Sequence, residues 1–313
     1  MKPGFLDKFL FFTVFSVCAG SSVWGAEKIT GQSTEHDCVK ADANCREIGK
    51  WEASIAVGVG GRTNPLAGGD DQPIVVIPQI SWYGKRFFLD NLDFGYTLVD
   101  KPQHMLNLLV QPGLEQIYFD KFGIGNFTVD GNPSSNAVLA YSQVDGSLVA
   151  APADVLQAGT PSIRLDDIAD RKTAIMGGAE YSFYSGNWQT QLQLLSDVSS
   201  VHEGKEVRLS GSYQIPGEKN LVSFAAGVNW QSEELLDYYY GVHQNDLPGI
   251  DFVYKVDAGV SVFTKISWER KLSEKWSWLS TFHYRQLDSA LKNSPLVEKN
   301  SVVTVFTGGN YHF

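Results

Sequence analysis

The sequence predicts an all-β chain, a transmembrane antiparallel β-barrel of about twelve strands and of the outer-membrane type. Three observations predict it. Segments of about ten residues alternate apolar and polar side chains and are joined in turn by tight turns and long polar loops. The chain carries 30 Gly, 18 Phe, 13 Tyr and 8 Trp in 313 residues at a mean hydropathy of only −0.14, which suits strands with one face in lipid and the other in water. The alternation also runs to the last residue. Val303, Val305, Thr307, Gly309, Tyr311 and Phe313 share one side, where chain ends are normally polar and frayed. In lipid every backbone amide must be satisfied within the protein, so a sheet has to close, and a terminal strand that seals it can end on a bare aromatic. A soluble β-sandwich would share the alternation but not the loop asymmetry or the terminal Phe.

The elements follow in order. Lys2 and Lys8, the short apolar run from Phe9 to Val17 and the exit Val23-Trp24-Gly25 read as a secretory signal peptide, 1–25. No later stretch reaches the roughly 18 apolar residues of a membrane helix. Residues 26–50 are expected as a periplasmic extension, in which Cys38 and Cys45 enclose six residues and form a disulfide loop in an oxidising compartment. A metal site there would want more ligands than His36 and Asp37. The barrel proper is expected over 51–313, with strands at 51–61, 73–83, 86–99, 104–112, 116–127 and 172–184 in the first half. The second half continues at 187–196, 205–215, 220–231, 251–268, 275–287 and 301–313. For this parity "QPGLEQ" has to be a turn. An even count puts both termini on the periplasmic side and leaves 62–72, 128–171, 232–250 and 288–300 outside, the second being a long extracellular loop that could plug or bind. Aromatics near strand ends (Trp82, Tyr83, Phe87, Tyr184, Trp188, Trp230, Trp276, Phe313) are expected as interfacial girdles.

Several function classes are disfavoured. The formal charge of −10 argues against nucleic acid as a partner and is compatible with loops facing lipopolysaccharide. None of the six His is followed two residues later by Ser, as a barrel phospholipase segment would have it. Asp70-Asp71 and Asp166-Asp167 read as solvated loop charge, since adjacent strand residues point to opposite faces. There is no phosphate-cradling Gly loop, no metal quartet and no sign of a cofactor, and the expectation is a non-enzyme. Inward positions include Glu52, Gln79, Asp93, Glu180, Gln189, Gln191, Gln193, Arg208, Lys255, Asp257 and His283. They describe either a salt-bridged filling or the lining of a narrow pore. Tyr238, Tyr239 and Tyr240 are expected at the outer interface, with ligand stacking as the alternative.

"AGGDD", "DIADRKTAIMGGAEYSF", "SDVSSVHEGKEVRL", "YYYGV" (238–242) and "NSPLV" (293–297) before a final strand ending Tyr-x-Phe together resemble the MipA/OmpV family of Gram-negative outer-membrane proteins, in order from about Trp51 to Phe313. Leu66 departs from it where an aromatic is common, and the 128–171 insertion is long. Gly308, Tyr311 and Phe313 resemble the signal read by the barrel assembly machinery, with Phe306 departing at its polar position. The resemblance implies a scaffold that joins a murein-cleaving lytic transglycosylase to a bifunctional murein synthase beneath the outer membrane, and for other members a surface adhesin or antigen. A narrow outer-membrane channel is the further alternative.

Overall fold

The computed structural model describes residues 48–119, 163–247 and 252–313, all within the unit Asn44–Phe313. The expected leader, the Cys38–Cys45 loop and most of the 128–171 loop lie outside the described residues. Twelve antiparallel strands follow one another around a closed barrel. They are β1 Trp51–Arg62, β2 Gln72–Tyr83, β3 Phe87–Asp90, β4 Asp93–Lys101, β5 His104–Pro112 and β6 Ile175–Ser185, then β7 Trp188–Asp197, β8 Lys205–Pro216, β9 Asn220–Gln231, β10 Gly259–Lys271, β11 Trp276–Gln286 and β12 Ser301–His312. The last strand pairs with the first from Ser54↔His312 to Arg62↔Thr304, so the C-terminal alternation seals the wall. No described helix is long and apolar enough to cross a membrane.

The polarity of the wall is that of a membrane barrel. Leu194 and Val59 on the outside are 51% and 69% exposed, while Gln193 inside is 1% exposed, the reverse of a soluble protein. Curvature at the seam is set by glycine. A Cβ on Gly308 would fall 2.4 Å from the Val57 carbonyl oxygen and 2.6 Å from the Gly58 Cα, so no larger residue fits between the two closing backbones. One flank of the lumen is filled by Ala56, Ile74, Ile77, Leu279 and Phe306. The rest of its width carries charged and amide side chains interspersed with buried apolar ones such as Phe88, Leu109, Met176 and Leu195.

Three expected strands are corrected. The segment 86–99 is two strands, β3 and β4, divided at Asn91. That residue has φ +55°, its N–H donates to the Ile80 carbonyl (2.8 Å), and its side-chain oxygen accepts from the Ile80 N–H (3.2 Å). The asparagine thus takes the place of the next strand residue and ends the ladder to β2, which pairs only Ser81, Tyr83 and Trp82 with β3. The expected strand 116–127 does not form in its described part. After Pro112 the chain turns at Gly113 into a 3-10 turn, Glu115–Tyr118, whose four side chains are all buried. The two errors cancel in the strand count. Strand β10 begins at Gly259 rather than 251, and the preceding extended segment packs on the loops through a Val242↔Tyr254 bridge.

The long loops fold against one another as a cap over one mouth of the barrel. Helix α1, Glu233–Tyr240, starts after Ser232 with two glutamates in its first turn and presents Leu235, Leu236, Tyr239 and Tyr240 inward, the i, i+1, i+4, i+5 stripe of an amphipathic helix. A short helix α2, Ser289–Lys292, is capped by the Asp288 carboxylate on the Ala290 N–H (2.7 Å) and buries Leu291 completely. Leu66, Ile117, Tyr118, Ile163 and Leu296 complete this apolar core.

Candidate functional site

The sequence elements that carry the family resemblance converge on α1. Tyr239 and Tyr240, expected at a membrane interface, are 1% and 0% exposed inside the cap. The reason is helical: the stripe that buries the leucines also buries these rings. Tyr238 alone stays half-exposed, its hydroxyl accepting from the Lys172 N–H (2.9 Å) and its ring lying 5.7 Å from the Arg171 guanidinium carbon. The Tyr239 hydroxyl donates to the Lys172 carbonyl (3.0 Å), and its ring meets His202 edge-on. Ser294 of the "NSPLV" segment donates to the Tyr240 carbonyl (2.6 Å), and Val297 bridges to Leu66, the departing residue after strand β1. Leu66 is 2% exposed, and its small volume suits that closed position.

Below the cap lies an ionic plug centred on Glu115. Its carboxylate accepts from the Arg285 guanidinium (2.8 Å), the Gln231 amide (2.8 Å) and the Tyr240 hydroxyl. The turn bearing Glu115 is itself tied to the rim, Gln72 donating to the Ile117 carbonyl (2.5 Å) and Asn64 to the Tyr118 carbonyl (2.9 Å). From there polar contacts descend through the lumen. Asn229 donates to Glu206 (2.5 Å), Arg208 pairs with Glu206 (2.8 Å), and Gln193 and Asn107 donate to Glu180 (2.9 and 3.0 Å). A cavity of about 40 Å³ remains beneath Glu115, room for a few waters, and two unpaired polar atoms, Asn229 Oδ1 and Ser261 Oγ, belong to residues that line it. Of the expected inward residues, Asp93, Glu180, Gln191, Gln193, Arg208 and His283 do face the lumen. Lys255 and Asp257 lie exposed before β10.

Two further clusters fix the cap and the opposite mouth. Arg171 grips Asp246 with both terminal nitrogens (2.9 and 2.8 Å) and donates to the Gly241 carbonyl (3.1 Å) at the end of α1. Burial pushes the Asp246 carboxyl up, but the Arg171 and His243 N–H hydrogen bonds outweigh it and hold the group at about 2. Burial raises the Tyr240 phenol far above its usual range, and the neighbouring Glu115 charge adds to it. At the short-turn mouth Ser277 Oγ donates to Glu269 (2.6 Å), and His312 Nε2 lies 2.9 Å from the same oxygen. In a hydrolytic triad the acid holds the far ring nitrogen, whereas Glu269 sits on the serine and 3.6 Å from Nε2. Around Ser277 the β10–β11 and β11–β12 ladders engage the strand backbone.

The expected girdle is partly corrected. Tyr83 stacks on Phe88 inside the barrel (centroids 6.0 Å), and Tyr184 turns inward to accept from Gln189, because both share the parity of lumen-facing neighbours. Gly308 is the buried seam glycine, Tyr311 points outward against Trp276, and the terminal Phe313 is 78% exposed.

A sealed barrel with apolar outer and polar inner faces and a capped, ion-paired mouth defines a transmembrane outer-membrane barrel with a filled upper lumen. Residues 55–313 match the family described as MltA-interacting protein MipA, and the chain belongs to that family. It is 26% identical over 149 residues to the MltA-interacting protein of Escherichia coli (strain K12), a match covering 46% of this chain and 58% of that protein. The chain thus spans a little over half the length of that relative. Outer membrane protein YiaT of the same organism is 21% identical over 265 residues, 84% of this chain and 91% of that one. Among solved structures, the NanC porin is similar at a TM-score of 0.36 and 8% identity, covering 84% of this chain and 99% of that chain. An outer-membrane channel from Pseudomonas putida F1 is similar at 0.34 and 10%, covering 88% and 100%. At these scores the neighbours add nothing to what the chain's own topology shows.

Proposed function

We propose that this protein is a non-enzymatic outer-membrane scaffold, with its termini and short turns in the periplasm and its cap outside, that holds murein-cleaving and murein-synthesising enzymes together. The observation that carries the reading is membership, over 55–313, of a family described by interaction with MltA. The Glu115 plug supports it from the other side. A mouth closed by a buried ion pair and a packed helix favours a rigid anchor over a solute path. The cleaved leader, the Cys38–Cys45 bridge and insertion through the assembly machinery by the Gly308–Phe313 segment are parts of the same proposal.

Cross-linking in intact cells followed by identification of the captured proteins tests it. Recovery of a lytic transglycosylase together with a murein synthase supports the scaffold, and recovery of host-surface ligands alone overturns it. In planar bilayers the native barrel should be silent. Conductance steps of reproducible size would replace the scaffold with a narrow channel.

A further inference from the structure

The two ends of the barrel differ in a way that neither the plug nor the scaffold reading uses. Near the short-turn end the strands display outward aromatic rings, and these touch from strand to strand. Trp51 meets Trp82 at 6.0 Å between centroids, Phe87 meets Tyr96 at 5.0 Å, Trp188 meets Tyr213 at 4.7 Å and Trp276 meets Tyr311 at 5.1 Å. Near the long-loop end the outward rings of the described strands are fewer: Phe94 beside the β3–β4 turn, Trp230 and Tyr284. Membrane barrels ordinarily carry a girdle at each interface, so a belt this much denser at one end marks one leaflet.

The same end is basic. Lys85, Arg86, Lys101, Lys219, Lys271 and Lys275 in and beside its turns are all exposed, against the exposed acids Glu52, Asp100, Glu218 and Glu274. The Lys275 ammonium lies 5.8 Å from the Tyr311 ring centroid, so collar and belt are one surface. The long-loop end runs the other way, its exposed acids, among them Asp70, Asp71, Asp166, Asp167, Glu233 and Glu234, outnumbering the exposed Arg164, Lys172, Lys205, Lys292 and Lys299.

Rings of this kind settle where hydrocarbon meets headgroup, and lysine stems lie along apolar surface while their ammonium groups reach the phosphate level. An aromatic belt alone would suit any headgroup, and a basic rim alone any polyanion. Together at one depth they specify charge and position. We propose that the short-turn end is a headgroup collar that selects anionic phospholipid over zwitterionic phospholipid in the leaflet it meets. This goes beyond the scaffold reading and does not depend on it.

The test reconstitutes the full chain in nanodiscs of equimolar phosphatidylglycerol and phosphatidylcholine, then quantifies the lipids retained after mild detergent extraction. One basic group near an anionic surface is worth roughly fivefold in partition. Phosphatidylglycerol should therefore be enriched about fivefold or more at low salt, and the enrichment should collapse in 1 M salt, where the screening length is about 3 Å. Replacing Lys85, Lys101, Lys219, Lys271 and Lys275 together by Gln should cut the enrichment severalfold, while the same five as Arg should keep it. Folding of each variant is checked by the gel shift between unboiled and boiled samples. If the Gln set fails to fold, the salt series on the native chain and the Arg set decide. Parity in the native chain at low salt overturns the proposal, as does enrichment indifferent to salt or to the Gln set. Displacement of the bound lipid by soluble murein fragments would assign the collar to a cell-wall polymer instead. No partner enzyme enters the assay, so its failure leaves the scaffold reading standing.

Discussion

Glu115→Gln isolates the plug. The carboxylate is 4% exposed and sits 2.8 Å from the Arg285 guanidinium, with Gln231 and Tyr240 completing its shell. At an effective dielectric of about 20 a pair at that separation attracts by about 6 kcal/mol. Removing one partner of a buried pair typically costs about 3–5 kcal/mol once desolvation is counted. The substitution is nearly isosteric, and Arg285 keeps Gln231 at 3.2 Å but loses this carboxylate. The loss falls on the turn 115–118 and on α1, which meet at Glu115, and hardly on the strand ladders. Hydrogen exchange followed by mass spectrometry in micelles should show amides of 115–119 and 233–241 exchanging between about a hundredfold and a few thousandfold faster. The β1–β12 ladder should keep its protection. Adding Arg285→Met should restore part of the loss, since a pair removed together costs less than either half. Unchanged protection around Glu115, or loosening spread evenly through the ladders, would refute the assignment of Glu115 as the tie between cap and lumen.

Tyr240→Phe withdraws one hydroxyl donor from the same carboxylate and should loosen the cap by about 1–3 kcal/mol in the same exchange experiment, with Tyr238→Phe nearly neutral. The Arg171–Asp246 tie predicts a pH response. A carboxyl held at about 2 stabilises the fold above its ordinary range near 4, and that contribution is lost as pH falls from about 4 toward 2. Near-UV circular dichroism of the cap tyrosines should therefore hold steady down to about pH 4 and then fall, and Asp246→Asn should flatten that fall. Gly308→Val places its Cβ against the backbone of Val57 and Gly58 and should abolish the compact unboiled gel band, whereas Gly211→Ala, with nothing within 4 Å, should leave it intact.

Much of the wall was legible because its chemistry repeats every second residue. Gln189, Gln191 and Gln193 against Thr190, Leu192 and Leu194 give β7 and its facing directly, and Trp276 to Tyr284 do the same for β11. The misplaced start of β10 has a plain physical cause. Period two reports that a backbone is extended with one side covered, and it does not report which neighbour covers it. Phe252, Tyr254 and Val256 keep the alternation of β10, yet the 1% exposed Val256 packs on the cap and its N–H donates to Asp237 (3.0 Å). Asn91 carried the signal for the extra hairpin, since a residue that tolerates the left-handed region beside Asp90 is turn chemistry inside an apolar run. The spacing 235, 236, 239, 240 likewise held the helix that the three tyrosines concealed. Glu115 could not be found this way. Its partners come from β9, β11 and α1, separated from it by more than a hundred residues, and only closure of the sheet brings them together.

The placement of these features bears on where partners can dock. The segments that carry the family resemblance meet in the cap, and several of their polar groups are consumed there: Arg171 by Asp246, Ser294 by the Tyr240 carbonyl, and an Asp71 oxygen by the Asn64 N–H. Groups satisfied in this way keep the mouth shut and the barrel stiff, while Asp70, Asp71, Asp167 and Lys172 on the same segments stay exposed. On the proposed scaffold reading, with the cap outside, murein enzymes would not reach it. Their contacts would then fall to the short turns and to the residues just ahead of β1, where the exposed lysines and the start of the barrel share one rim. A collar that fixes the depth of that rim in the leaflet would hold the same turns at a constant height above the cell wall, so lipid selection and scaffolding would serve a single geometric end.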